Sequence, residues 1–271
     1  MDKPLVSVIM ATYNEPIVFI KASIESILNQ TYSNFELIIA DDSTNKETIE
    51  AIDFYCTDNR VHILRQQIRM GFVNALNEGL KIAKGEYIAR MDGDDISALD
   101  RFEKQISFFL DNPSISVLGG AMSIINGKNE LISSRQYPAT HRQLCFWSIF
   151  RSPFAHPTVM MKSSIIQNGI KYDPRLKKAE DIDMWLKIKN KGYKFSNLTD
   201  RILNYRVLND LSKKRNIDQW KYNFKARLNE FSFLYPVFSI ASILVSSFYC
   251  LAPNFLVSKF YSRENQKDRV K

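Results

Sequence analysis

The chain of 271 residues, 45% hydrophobic and 24% charged, has an ordinary globular composition, with room for one large domain or a domain and a tail. Its cysteines, Cys56, Cys145 and Cys250, are odd in number with no CxxC pair. This argues against a disulfide framework or zinc site and for a reducing compartment. The net charge of +8 is uneven. Basic residues crowd between Lys213 and Arg227 and again between Lys259 and Lys271, a bias that suits nucleic acid, an anionic membrane or an anionic substrate.

The chain enters a strand at once, so no signal peptide is expected. Leu5 to Met10 is short, apolar and rich in β-branched residues, the type buried in a parallel sheet. It ends in the turn-forming Ala11-Thr12-Tyr13-Asn14-Glu15-Pro16. Ile20, Ile24, Ile27 and Leu28 give helical spacing from Ile17 to Gln30. A second strand, Phe35 to Ala40, runs into Asp41-Asp42-Ser43-Thr44. A helix from Glu47 to Tyr55, a strand from Val61 to Leu64 and a helix from Gly71 to Ala83 follow. The strand opening at Tyr87 ends in Asp92-Gly93-Asp94-Asp95, and a helix from Leu99 to Leu110 stops at Asn112-Pro113. Strands alternating with helices predict an α/β fold, a doubly wound, mostly parallel Rossmann-like sheet with helices on both faces.

That topology gathers Thr12-Tyr13-Asn14, Asp41-Asp42 and Asp92-Gly93-Asp94-Asp95 at strand carboxyl ends, where open α/β sheets bind ligands. Neither G-x-G-x-x-G nor a P-loop occurs. Three carboxylates within four residues repel one another. A divalent cation relieves that cost, and oxygen ligands suit Mg²⁺ or Mn²⁺. The glycine among them permits a tight turn and close approach of a ligand. Read alone, such a cluster is more often a solvated acidic turn; the strand in front of it and the second acidic site upstream favour the ligand reading.

Four stretches carry a specific resemblance: Val6 to Asn14, Ile39 to Ser43, Gly85 to Ala89 and Met91 to Asp95. Together with His156-Pro157-Thr158-Val159-Met160, Tyr172-Asp173 and Ala179 to Leu186, in this order, they resemble family 2 glycosyltransferases of the GT-A fold. The match spans roughly the first four-fifths of the chain. Within the family it most resembles bacterial enzymes that extend lipid-linked O-antigen, capsule or exopolysaccharide units.

The resemblance implies a set of roles. Asp42 binds the uracil of a UDP-sugar, with Thr12, Tyr13 and Asn14 packed on base and ribose; Asp41 and Ser43 are alternatively caps of the next helix. Asp92 faces the ribose or base, and Asp94 holds Mn²⁺ or Mg²⁺ against the diphosphate. Asp95 is a second ligand or a helix cap near Ile96-Ser97. Asp181 is the general base that deprotonates the acceptor hydroxyl, with Asp183 its rival. Both also read as an acidic first helical turn complementing the helix dipole. Glu180 and His156 are candidates for touching the acceptor, though a lone histidine is more often a satisfied buried residue. Arg206, in a late Tyr-Arg element, is a candidate for the donor phosphates. Related sequences often carry a histidine where Leu208 stands, which weakens any metal ligand there. Arg69 and Asn74 lie ahead of a helix and reach toward the donor pocket.

Phe231 to Ser258 carries no charge, is interrupted by Pro236 and Pro253, and has basic flanks. This divides the chain into a catalytic domain over 1–210 and a basic, apolar, membrane-associating helical region over 211–271. A single spanning helix is the alternative. The implied activity is an inverting, metal-dependent transfer of a hexose, glucose or galactose, from a UDP-sugar to a polyprenyl-diphosphate-linked saccharide. It would act on the cytoplasmic face of the plasma membrane, peripherally or as a monotopic protein. The rivals are a rhamnosyltransferase using a dTDP-sugar and a non-catalytic nucleotide-sugar-binding membrane subunit. A nucleic-acid partner is disfavoured, because the basic stretches flank an apolar segment and lack interleaved aromatics.

Overall fold

The computed structural model describes residues 3–208, 217–233 and 235–251. The first half alternates as the sequence predicts: β1 Val6–Thr12, α1 Ile17–Leu28, β2 Phe35–Asp41, α2 Lys46–Asp53, β3 Val61–Leu64, α3 Phe72–Ile82 and β4 Tyr87–Asp92. The second half is β5 Ile96–Ser97, α4 Arg101–Asp111, β6 Ile115–Ile125, β7 Leu131–Arg135, α5 His141–Trp147, β8 Met160–Lys162, α6 Ser164–Gln167, α7 Glu180–Asn190, β9 Lys194–Arg206, α8 Ile217–Asn229 and α9 Pro236–Leu251.

The strands form one sheet in the order β3-β2-β1-β4-β8-β6-β9-β5, with β7 beside β6. The half from β3 to β4 is parallel. Beyond β4 the sheet is mixed, antiparallel at β8 and parallel again between β6 and β9. Each face of β1 feeds a different core, as the two-residue period requires. Val6, Val8 and Met10 pack with Ile20 and Ile24 of α1 and Phe102 and Ile106 of α4. Ile9 and Ala11 join Leu76 and Leu80 of α3 and Met184, Trp185 and Ile188 of α7.

Register fixes the site. Thr12 lies opposite Asp41, and Ala11 opposite Asp92, so three polar loops leave one edge of the sheet. Asp95 is no helix cap: Ile96–Ser97 is a short strand paired with Leu203 and Asn204 of β9. Nor do Asp41 and Ser43 supply the cap of α2, whose first turn is closed by Asn45 accepting from the Thr48 amide.

After β9, α8 packs back on the sheet-bearing part of the chain. Ala226 meets Leu176 and Ala179, and the Asn190 side chain donates to the Glu230 carbonyl at 2.9 Å. α9 lies on α8, with Trp220 stacked on Tyr249 at 4.3 Å. No helix of the described residues is long and apolar enough to cross a membrane. The expected boundary at residue 210 and the basic run from Lys259 lie outside the described residues.

Candidate active site

The end of β1 is locked to the end of β2. Asn14 adopts a left-handed backbone, φ 53°, which asparagine tolerates better than most residues. Its side-chain oxygen accepts from the Thr44 and Asn45 amides at 2.7 and 3.1 Å, and its amide donates to Ser43 Oγ at 3.0 Å. Asn14 thus braces the loop and is not among the residues lining the adjacent cavity. Asp41 is equally occupied, accepting from Arg65 Nε at 2.6 Å and the Ser43 amide at 2.9 Å.

Asp42 turns the other way. Its two oxygens accept from the amides of Met70 and Gly71 at 2.9 and 2.6 Å. That loop is sharp enough to need Gly71 at φ 76°. It carries Arg69, whose guanidinium lies 3.6 Å from the centre of the Tyr13 ring. Between them is a cavity of about 120 Å³ lined by Thr12, Tyr13, Asp42, Arg69, Phe72 and Asp92, among others. Five of the residues expected to hold the nucleotide-sugar therefore meet in one space. Asn74 is turned back, donating to the Met70 carbonyl.

Asp92, Asp94 and Asp95 each bring a carboxylate oxygen within 4.8 Å of the others. The loop is held from both sides. Ser23 Oγ donates to the Asp92 carbonyl at 2.7 Å, and the Arg206 amide donates to Asp95 Oδ1 at 2.8 Å. The Arg206 guanidinium, expected at the donor phosphates, is turned inward. It donates to the carbonyl of Asp94 at 2.8 Å and to Asn129 Oδ1 at 2.6 Å, and it lies 4.2 Å from the Phe19 ring. Arg206 is only 4% exposed; it supports the acidic loop from behind.

Asp95 is fully buried and its Oδ2 has no hydrogen-bond partner. Burial, then the charges of Asp92 and Asp94, push its carboxyl well above the usual range. An orphaned carboxylate oxygen beside two more is the hard, all-oxygen donor set that Mg²⁺ or Mn²⁺ takes. The residues present therefore fit a divalent cation, with Asp94 and Asp95 to hold it.

Asp92 has a second partner that sequence reasoning missed. Arg90, two residues back on the same face of β4, forms an ion pair with it. Burial opposes the charge of Arg90, and Asp92, Tyr172 and Asp95 together outweigh it. Its Nε and Nη1 are buried without hydrogen-bond partners, and its guanidinium lies 5.5 Å from the Phe72 ring. Around it stand His156, Tyr172, Glu180 and Asp181, each of which feels its charge. The His156 Nε2 and the Tyr172 hydroxyl share a hydrogen bond of 2.8 Å. Burial, then Arg90, holds the imidazole well below its usual range, so it is neutral.

Glu180 and Asp181 open α7, where amide dipoles favour negative charge. Burial and the neighbouring Asp181 push Glu180 up to about 8. Burial also raises Asp181, but the Ile182 amide, the Ser152 hydroxyl and Arg90 oppose it. Both carboxyls are raised, and the opposing contacts fall on Asp181, so Asp181 is the better placed of the two to act as a base beside a hydrogen-bond donor. Asp183 faces away from this group and pairs with Lys187 at 2.5 Å.

A parallel α/β half with a loop-lined cavity, an acidic trio beside it and a half-buried carboxylate pair opening α7 defines a class: the GT-A glycosyltransferases. The chain belongs to glycosyl transferase family 2, whose domain matches residues 7–168. It is 38% identical over 215 residues to the O-antigen biosynthesis glycosyltransferase WbnJ of Escherichia coli, covering 78% of this chain and 82% of that one. It is 41% identical over 130 residues to the UDP-Glc:alpha-D-GlcNAc-diphosphoundecaprenol beta-1,3-glucosyltransferase WfgD of the same species, covering 48% and 50%. Among solved structures it is similar in fold to S. aureus TarS in complex with UDP-GlcNAc. The TM-score is 0.70 at 21% identity, over 90% of this chain and 72% of that one.

Proposed function

We propose that this glycosyltransferase moves a hexose, glucose or galactose, from a UDP-sugar to a hydroxyl of a polyprenyl-diphosphate-linked saccharide, with inversion at the anomeric carbon. The observation that carries the reading is the meeting of the Asp42–Arg69 cavity, the acidic trio and the Glu180–Asp181 pair at one edge of the sheet. The likeness to a glucosyltransferase named for UDP-Glc and a diphosphoundecaprenol acceptor supports the donor and acceptor classes.

The residues divide the work. Tyr13 and Arg69 cover the pyrimidine nucleoside, with Asp42 holding the Met70–Gly71 loop against it. Asp94 and Asp95 would hold Mn²⁺ or Mg²⁺, which when bound offsets charge on the departing diphosphate. Asp181 takes the proton of the acceptor hydroxyl. The acceptor oxygen bonds to the anomeric carbon as the bond from that carbon to the UDP oxygen breaks, and the base acts on the face opposite the leaving group. Protonated Glu180 donates to the acceptor, and the neutral His156–Tyr172 pair walls its pocket. The chain works peripherally at the cytoplasmic face of the plasma membrane, where such acceptors are met, and the uncharged α9 and its basic flanks support attachment there.

A UDP-release screen over UDP- and dTDP-sugars, with short diphosphate-lipid saccharide acceptors and with or without Mn²⁺, tests this. Release that needs a UDP-hexose, the acceptor and the metal is the expected result. Release only from dTDP-sugars, or undiminished release after chelation, would refute it.

A further inference from the structure

α9 is amphipathic in the wrong sense for a helix that caps a globular core. Its inward stripe is Ser239, Ser242 and Ser246, all buried. The Ser242 and Ser246 hydroxyls are satisfied within the helix. Its outward stripe, at three- and four-residue spacing, is Val237, Ile240, Leu244, Phe248 and Leu251, which are 50–86% exposed. Apolar residues outside and hydroxyls inside is the arrangement of a helix whose surroundings are hydrocarbon. Its 16 residues span about 24 Å, which suits lying in a leaflet.

Between this helix and α5 runs a groove of about 770 Å³, lined by Pro138, Thr140, Arg142, Phe146, Trp147 and Phe238, among others. It is several times the donor cavity of about 120 Å³ and lies within the usual range for organic ligands, about 300–1,000 Å³. Three aromatic rings line it, and Phe146 is 58% exposed at its mouth. The charged residue of its lining is a cation, Arg142. The segment leaving α5 then carries Ser152, whose hydroxyl acts on Asp181. Aromatic rings with a single cation suit an occupant with an apolar chain and an anionic end.

We infer that the α5–α9 groove binds the hydrocarbon chain of the lipid-linked acceptor, its diphosphate against Arg142 and its sugar directed to Asp181. The inference rests on the acceptor class proposed above and names where that acceptor is held.

The test uses the full chain in detergent micelles, so that vesicle docking does not enter, and two acceptors with one saccharide diphosphate on a polyprenyl or a short soluble chain. In Phe146→Ser and Phe238→Ser, kcat/KM for the polyprenyl acceptor should fall about tenfold or more, the order expected from losing contact with a few methylenes. That for the short acceptor and the KM for donor should stay within about twofold. A photoactivatable polyprenyl diphosphate should crosslink to residues 138–147 or 238. An unchanged long-to-short ratio, or equal loss with both acceptors, overturns the groove while leaving glycosyl transfer intact. No UDP release with either acceptor in the wild type overturns the acceptor reading and the groove with it. Crosslinking by a photoactivatable phosphatidylglycerol that polyprenyl diphosphate does not displace would mean a membrane-lipid site. Loss of the groove in a wild-type dimer, seen as crosslinks between two copies through 238, would also refute the proposal.

Discussion

Replacing Arg90 by methionine removes a positive charge buried among Asp92, Asp95, Glu180 and Asp181 while keeping most of the side-chain volume. Breaking a fully buried ion pair by removing one partner costs about 3–5 kcal/mol. The Asp92 side chain keeps 25% of its exposure, so solvent absorbs part of the loss and about 2–3 kcal/mol is expected. For a protein of this size that is a fall in Tm of about 5–10 °C. Arg90 also competes with a cation for Asp92, so the variant should bind Mn²⁺ more tightly than the wild type. A ligand at a hundred times its Kd contributes about 2.7 kcal/mol. Thermal unfolding across a Mn²⁺ titration should therefore show a midpoint at lower metal for Arg90→Met, and a larger gain in Tm. A fall below about 2 °C, or a Mn²⁺ gain no larger than that of the wild type, would show that Arg90 is not the counter-charge of the acidic trio.

Asp181→Asn should lower kcat by about 10²–10⁴, the range for loss of a general base, with donor KM within about threefold; steady-state UDP release checks both, and near-normal turnover refutes the assignment. Asp42→Asn gives up charge-assisted bonds to the Met70 and Gly71 amides, each worth about 1.5–3 kcal/mol. It should raise donor KM more than about tenfold while leaving kcat at saturation nearly unchanged. Glu180 has a folded pKa raised to about 8 from 4.5. Its protonated form therefore contributes stability that is complete below about 4.5 and lost as pH rises through about 8. Tm of the wild type should fall between pH 6 and pH 9, and Glu180→Gln should flatten that fall; an equal slope in both proteins would remove Glu180 as its source.

The first half of the fold is legible because its signals are local. β-branched runs and three-to-four-residue spacing set β1 to α4, with ends shifted by a few residues where caps decide, as at Asn45 rather than Asp41 or Ser43. The second half is not, because its sheet rests on pairing between distant segments. Ile115–Ile125 and Lys194–Arg206 lie parallel over most of their lengths, and nothing within either run fixes that register. The same register turns Arg206 behind Asp94 and Asp95 instead of toward a donor phosphate. No reading of a Tyr-Arg pair alone decides which way its guanidinium faces.

Arg90 is the instructive case, since its position follows from alternation alone. In Tyr87-Ile88-Ala89-Arg90-Met91-Asp92 the side chains of residues 88, 90 and 92 share one face, and a cation inside an apolar strand requires a counter-charge. Asp92 is the carboxylate that this face offers, so an Arg90–Asp92 pair is already implied by six letters of sequence. The pair also bears on which residues would hold the proposed cation. A carboxylate already neutralised by an arginine has less to offer a dication, which leaves Asp94 and the orphaned oxygen of Asp95 to hold it.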